Sequence, residues 1–89
     1  MHLIDTELDS FVLRFNDVPS MYVNGIYNRV CKMIGAIRLN TNCQLIENSP
    51  SHFSIVVTTQ EMISFYEIQS IAVLATGICY QYKHNNDEA

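Results

Sequence analysis

Apolar and polar residues alternate from Phe11 to Phe15, with Phe11, Leu13 and Phe15 on one side of an extended chain and Val12 and Arg14 on the other. A period of two marks a half-buried strand. Asn16-Asp17-Val18-Pro19 interrupts it, because Pro19 cannot donate to a ladder. Ser20 then stands where a helix N-cap would accept a hydrogen bond from the first turn. From Met21 the spacing turns helical: Val23, Ile26, Tyr27, Val30, Met33 and Ile34 recur at intervals of three and four, with Asn24, Asn28 and Lys32 opposite. Gly35 suits the left-handed position that ends a helix. Gly25, inside the helix, costs ~1 kcal/mol relative to Ala, and is either simply tolerated or marks a close approach to another element.

A second strand is predicted from Ile37 to Ile46. Ile37, Leu39, Thr41, Cys43 and Leu45 point one way, and Arg38, Asn40, Asn42 and Gln44 the other, the pattern of an antiparallel sheet covered on one side. Asn48-Ser49-Pro50-Ser51 reads as a loop. Phe53, Ile55, Val57 and Thr59 alternate with Ser54, Val56 and Thr58 in a third strand. Thr59 is placed to cap a last helix that opens at Met62 and runs to about Tyr82. Around Ile71 to Ala75 that helix is apolar nearly all round, so it is expected to bury more than one side, against the first helix or a partner chain. The predicted order is β-α-β-β-α, an α+β fold with two helices on one face of a small antiparallel sheet. Residues 11–82 form the domain, between a loose acidic stretch at 1–10 and a loose tail at 83–89.

Composition sharpens this reading. The chain has 89 residues, 48% apolar and 16% charged, which excludes a disordered chain and leaves more apolar surface than so short a chain readily buries alone. A net charge of −4, with five Lys and Arg residues scattered, argues against binding nucleic acid through its phosphates. Cys31, Cys43 and Cys79 are far apart with no C-x-x-C pair, so neither zinc nor a redox couple is indicated and free thiols in a reducing compartment are expected. No signal peptide, membrane span, metal site, cofactor motif or catalytic constellation is expected. His2, His52 and His84 are dispersed, and no nucleophile sits beside a base. The five tyrosines, by contrast, fall on the predicted helices; each alone is as consistent with core packing, but together with the all-round apolar helix they favour a protein–protein interface.

The element order and several local strings resemble the small α-like assembly subunit of multisubunit RNA polymerases, the eukaryotic and archaeal relative of the bacterial α N-terminal domain. In that family a strand is followed by an acidic-His-Thr-Leu-Gly-Asn-x-Leu-Arg string that opens the first helix. Here Phe11 to Phe15 supplies the strand, and Pro19-Ser20-Met21-Tyr22-Val23-Asn24-Gly25-Ile26-Tyr27 follows. Asn24 matches the family Asn, Ile26 the Leu, and Tyr22 the earlier apolar position. Asn28-Arg29 overlaps the Asn-Arg-Arg of the larger partner subunit. Downstream, Ile37 to Ile46, Pro50 and Phe53 to Thr59 keep the family's order of strand, proline-containing loop and strand ending in Thr. The resemblance covers most of residues 11–82. Pro19-Ser20 replaces the acidic-His pair, Val23 the Gly and Tyr27 the Arg, which mark a divergent member, such as one from a fast-evolving or viral polymerase.

The resemblance implies a structural role in which two α-like chains pack helix on helix and carry the large catalytic subunits. The chain is then expected to be intracellular and to act without catalysis, metal, cofactor or direct reading of DNA. Its interface is expected on Tyr22, Val23, Ile26, Tyr27 and Val30 of the first helix and Phe65, Ile68, Ala72, Ala75 and Cys79 of the last, so that Ala72→Glu or Ile26→Asp prevents partner binding. Asn24 is expected to hydrogen-bond backbone near the helix start. Two rivals use the same fold: a small homodimeric adaptor or inhibitor acting through its apolar helices, and a ligand-binding domain with a pocket between sheet and helices. For the second, only Thr41, Cys43 and Thr59 supply polar groups on the apolar faces.

Overall fold

A computed structural model describes residues 7–85. Strand β1 (Glu7–Phe15) leads through a single 3-10 turn (Ser20–Tyr22) into helix α1 (Val23–Ile37), and β2 (Thr41–Ser49), β3 (His52–Ser64) and helix α2 (Phe65–Asn85) follow. The α+β class and the order β-α-β-β-α are those expected from the sequence. The sheet is antiparallel with order β1-β3-β2, which leaves β1 and β2 as its edges.

The alternation along each strand becomes the core. Phe11, Leu13 and Phe15 share one face with Phe53, Ile55 and Val57, and both helices lie on that face. Phe15 and Phe53 are cross-strand partners whose rings stack at 4.6 Å. From α1 the core takes Val23, Ile26, Val30 and Ile34, one turn apart, and from α2 it takes Ile71 and Ala75. Val18 joins them from the loop after β1, where its amide donates to the Ser51 carbonyl at 3.0 Å. On β2, Thr41, Cys43 and Leu45 are half-buried and Asn42 and Gln44 exposed, as the alternation predicts.

Several boundaries differ, each for a local reason. Gly35 does not end α1: no glycine has a positive φ, and the helix runs on to Ile37. The left-handed residue is Asn40 (φ 60°), which shifts the start of β2 from Ile37 to Thr41 and leaves Leu39 exposed between them. Asn is one of the few non-glycine residues that enters this region cheaply, and Asp17 (φ 57°) turns the chain after β1 in the same way. Ser20 lies in the 3-10 turn and makes no capping bond. Thr59 is no cap either. It is buried within β3, where its hydroxyl donates to the Asp9 carbonyl at 3.4 Å.

The helix start moves with it, from Met62 to Phe65. β3 makes an irregular excursion, with Ser10 opposite Thr58 and Leu8 opposite Ile63, and resumes its pairing before α2 begins. Arg38 holds this excursion by donating to the Met62 carbonyl and forming an ion pair with Glu67 at 3.5 Å. Ser64 is the cap: its hydroxyl accepts from the Glu67 amide at 3.2 Å. The loose segment expected at 1–10 contributes Glu7–Ser10 to β1, and of the expected 83–89 tail residues 83–85 are helical. The rest of both segments lies outside the described residues.

Candidate interaction surface

The residues expected at a partner interface are turned toward the chain's own core. Val23, Ile26, Val30 and Ala75 are buried, and Tyr22, Tyr27, Ile68, Ala72 and Cys79 are partly buried against the same cluster. Phe65 is half-buried at the start of α2. The two helices thus satisfy one another. Tyr82 of α2 lies against Gly25 of α1, so close that a Cβ there would sit 2.7 Å from the ring, and Gly25 thus marks a close approach. Tyr22 packs on the same ring at 6.1 Å and the Arg29 guanidinium lies 5.8 Å from its centre. Tyr27 donates its hydroxyl to the Cys43 carbonyl at 3.1 Å, which ties α1 to β2. Asn24 is exposed on the solvent side of α1, not bonded to backbone at the helix start.

What remains outside is the other side of α2. Tyr66, Val73 and Tyr80 are 56%, 71% and 61% exposed, and Leu74 beside them is also exposed. Ser70 and Gly77 lie between them, so Tyr66, Ser70, Val73, Gly77 and Tyr80 recur at intervals of four and three along one stripe. Tyr66, Gln69, Ser70, Val73 and Leu74 border a shallow depression. From Ile68 to Tyr82 the helix carries no charge on any side. Its nearest acid, Glu67, is engaged by Arg38, and its nearest base, Lys83, donates to the Asn16 carbonyl at 3.3 Å. Exposed leucine or valine alone means little, but a contiguous uncharged stripe of tyrosine and branched residues is the composition of an interface centre.

Among the described residues, burial shifts two thiols and one tyrosine from their ordinary pKa. Burial and the neighbouring Cys31 thiol push Cys43 up to about 12. Burial also raises Cys79, with Lys83 partly opposing it. Tyr27 is raised by burial and by its two cysteine neighbours. Thiols held neutral in this way are poor nucleophiles and poor metal ligands at pH 7. Ser51 Oγ and His52 Nδ1 are 3.2 Å apart, but they are consecutive residues of the exposed β2–β3 turn, and the only ion pair among the described residues, Arg38–Glu67, is elsewhere. Among the described residues no three His, Cys, Asp or Glu side chains converge, and no helix is long and apolar enough to cross a membrane.

Comparison with protein-family models, with curated proteins and with solved structures finds no match. The outward stripe of α2 therefore stands on its own geometry. The sequence pattern counts Tyr66, Val73 and Tyr80 among the apolar positions of the last helix without assigning them a side, and the interface expected on that helix was Phe65, Ile68, Ala72, Ala75 and Cys79 instead. The overlooked signal is Ser64-Phe65-Tyr66-Glu67, a serine three residues before a glutamate, which marks a helix start.

Proposed function

We propose that this chain is a non-catalytic subunit of a multisubunit DNA-directed RNA polymerase. In this reading it heterodimerises with a larger α-like subunit, and the pair forms the platform on which the large catalytic subunits assemble. The resemblance over residues 11–82 supports it, and so does the β-α-β-β-α order of the fold. The observation that carries it is the uncharged outward stripe of α2, mounted on a helix whose other side is fixed to the core. The interface moves accordingly from the inward residues to Tyr66, Val73, Leu74 and Tyr80. Their rims of Gln69 and Gln81 supply hydrogen bonds without charge. The test is affinity capture of the tagged chain from its native cell with mass spectrometry of its partners. A larger α-like chain together with the two large polymerase subunits supports the reading, provided Val73→Glu removes all of them. Recovery of the chain alone, or with an unrelated target, rejects it.

The alternation of large and small residues favours a second reading, a homodimeric adaptor. In an antiparallel pair of α2 helices, Val73 of one copy would face Gly77 of the other, and Tyr80 would face Ser70, so bulk meets space in each layer. Light scattering on the purified chain separates the two readings. A stable dimer of identical chains favours the adaptor.

A further inference from the structure

β1 is an edge strand that pairs only with β3, so its other edge is free of ladder partners. α2 runs beside it and leaves a groove of about 510 Å3. All five residues from Val12 to Asn16 line this groove. Leu13 and Phe15 belong to the inner face of the sheet, and Val12 and Arg14 are exposed on the outer one. Five successive residues can border one groove only if it exposes the strand's edge, where alternate N–H and C=O groups lack ladder partners. The facing wall is one side of α2: Ala72, Ala75, Thr76 and Cys79, with Tyr80 and Lys83 beyond. These are small or slender side chains for most of its length, and they leave room for a chain between helix and strand.

Charge marks one end of the groove. Arg14, Lys83 and His84 gather near Asn16, and among the described residues no Asp or Glu lines the groove. Two of the five Lys and Arg residues in a chain of net charge −4 are thus brought together here. Lys83 Nζ is held by its bond to the Asn16 carbonyl, and the His84 ring lies 4.1 Å from that of Tyr80. The ion pair among the described residues, Arg38–Glu67, uses neither Arg14 nor Lys83. Five extended residues span ~16 Å, and the groove's volume lies within the ~300–1,000 Å3 of sites that enclose a ligand.

We infer that this groove binds an extended peptide segment that adds to the sheet along β1, with an acidic group at its Asn16 end held by Arg14, Lys83 and His84. Backbone hydrogen bonds from the β1 edge supply affinity, side chains directed at Ala72, Ala75 and Cys79 select small apolar residues, and the basic cluster sets the direction of the peptide. The groove shares only Tyr80 with the outward stripe of α2; the β1 edge, Ala72, Ala75 and the basic cluster lie outside that stripe, so the peptide test reads this site independently of the polymerase reading.

The test uses the 15N-labelled full chain and two blocked Thr/Val heptapeptides, one ending in two aspartates and the other in two lysines. The aspartate peptide is expected to shift and protect the amides of residues 12–16 and to shift those of 72–83. The lysine peptide is expected to bind at least tenfold more weakly. Arg14→Glu, at an exposed position, is expected to weaken the aspartate peptide at least tenfold, and Thr76→Arg, which fills the groove from α2, to remove binding of both. No binding of either peptide at millimolar concentration overturns the inference. Equal binding of the two peptides, or shifts confined to residues 66–74, overturns it as well.

Discussion

The three glycines of this chain offer a measurement in which one substitution should reverse the sign of the other two. All three lie in helices without positive φ, so alanine at each gains up to ~1 kcal/mol of helix propensity. At Gly35 and Gly77 nothing among the described residues, the helix's own backbone aside, stands within 4 Å of the new methyl group, and the gain should survive, less at Gly35 because it is two residues from the helix end. At Gly25 the methyl would meet Cε2 and the hydroxyl oxygen of Tyr82 at 2.7 Å and Cζ at 2.9 Å. The far end of a tyrosine can swing aside, but here it must leave Tyr22 and the Arg29 guanidinium. An aromatic pair contributes ~0.5–1.5 kcal/mol, a cation over a ring ~0.5–1 kcal/mol, and re-exposing part of the ring ~1 kcal/mol more. Against the propensity gain, Gly25→Ala should destabilise by about 1–2.5 kcal/mol, and Gly77→Ala should stabilise by about 0.5–1 kcal/mol. Urea unfolding followed by far-ultraviolet circular dichroism reads both, with an unchanged m-value as the sign that the denatured state is not involved. The melting temperatures should move in opposite directions, by ~4–8 °C per kcal/mol for a chain of this size. In a Tyr82→Ala background the penalty at Gly25 should vanish and the substitution become stabilising. If Gly25→Ala stabilises the otherwise unaltered chain as much as Gly77→Ala does, the packing of α2 on α1 described above is refuted.

Three further outcomes test the fold and its surfaces. Ser64→Ala should cost ~1 kcal/mol through loss of the bond to the Glu67 amide, whereas Thr59→Ser, which keeps a hydroxyl at a strand position, should leave the start of α2 unchanged; chemical denaturation and helix chemical shifts check both. Val73→Glu should leave stability within ~0.5 kcal/mol, as exposed positions do, and should abolish capture of a partner through α2, while Ile26→Asp should unfold the chain because that side chain has no exposure. Cys43, near 9 when unfolded and about 12 when folded, keeps its proton longer in the native state, so its contribution to stability is complete below pH 9 and is lost as pH rises from 9 toward 12. Cys43→Ala should therefore lose less stability over that window in alkaline denaturation, and in the native protein Cys43 should resist iodoacetamide at pH 8 when mapped by mass spectrometry.

The strands were legible because a strand states its faces residue by residue. Phe11, Leu13 and Phe15, or Phe53, Ile55 and Val57, alternate with polar neighbours, and a sheet covered on one side requires that pattern. α1 was legible for a related reason: Val23, Ile26, Val30 and Ile34 form one stripe with charged and amide residues opposite. The boundaries were not legible, because they depend on groups distant in sequence. Asn40, not Gly35, takes the left-handed turn, and its carbonyl accepts from the Gln60 amide at 3.2 Å, a contact that exists only after β3 has folded back. The segment from Thr59 to Met62 reads as a helix start, yet Arg38 and Asn40 hold it beside the sheet. The same excursion carries Ser64 to the true start of α2.

The orientation of α2 was hidden for a different reason, and that reason bears on function. A helix apolar on one side announces which side is buried, but α2 carries two apolar stripes of equal spacing. Ile68, Ile71, Ala75, Ile78 and Tyr82 face the core, and Tyr66, Ser70, Val73, Gly77 and Tyr80 face away. Hydropathy favours the inner stripe, with its three isoleucines against one valine. With no charge from Ile68 to Tyr82, however, the outer side is not marked as wet, and fit to the first helix and the sheet fixes the orientation. Tyr82 needs the missing side chain at Gly25 to reach α1, and Ala75 lies buried where α2 meets the sheet. The outward stripe has its own gaps at Ser70 and Gly77, and among the described residues nothing beyond the helix's own backbone lies within 4 Å of where a Cβ at Gly77 would stand. A glycine in the middle of a 21-residue helix costs ~1 kcal/mol, and Gly25 shows what such a cost obtains in this molecule: a close-packed aromatic side chain from another helix. Gly77 presents the same opening on the outer side, and it is on this surface, where the chain forgoes helix stability without an internal return, that the proposed reading puts the partner.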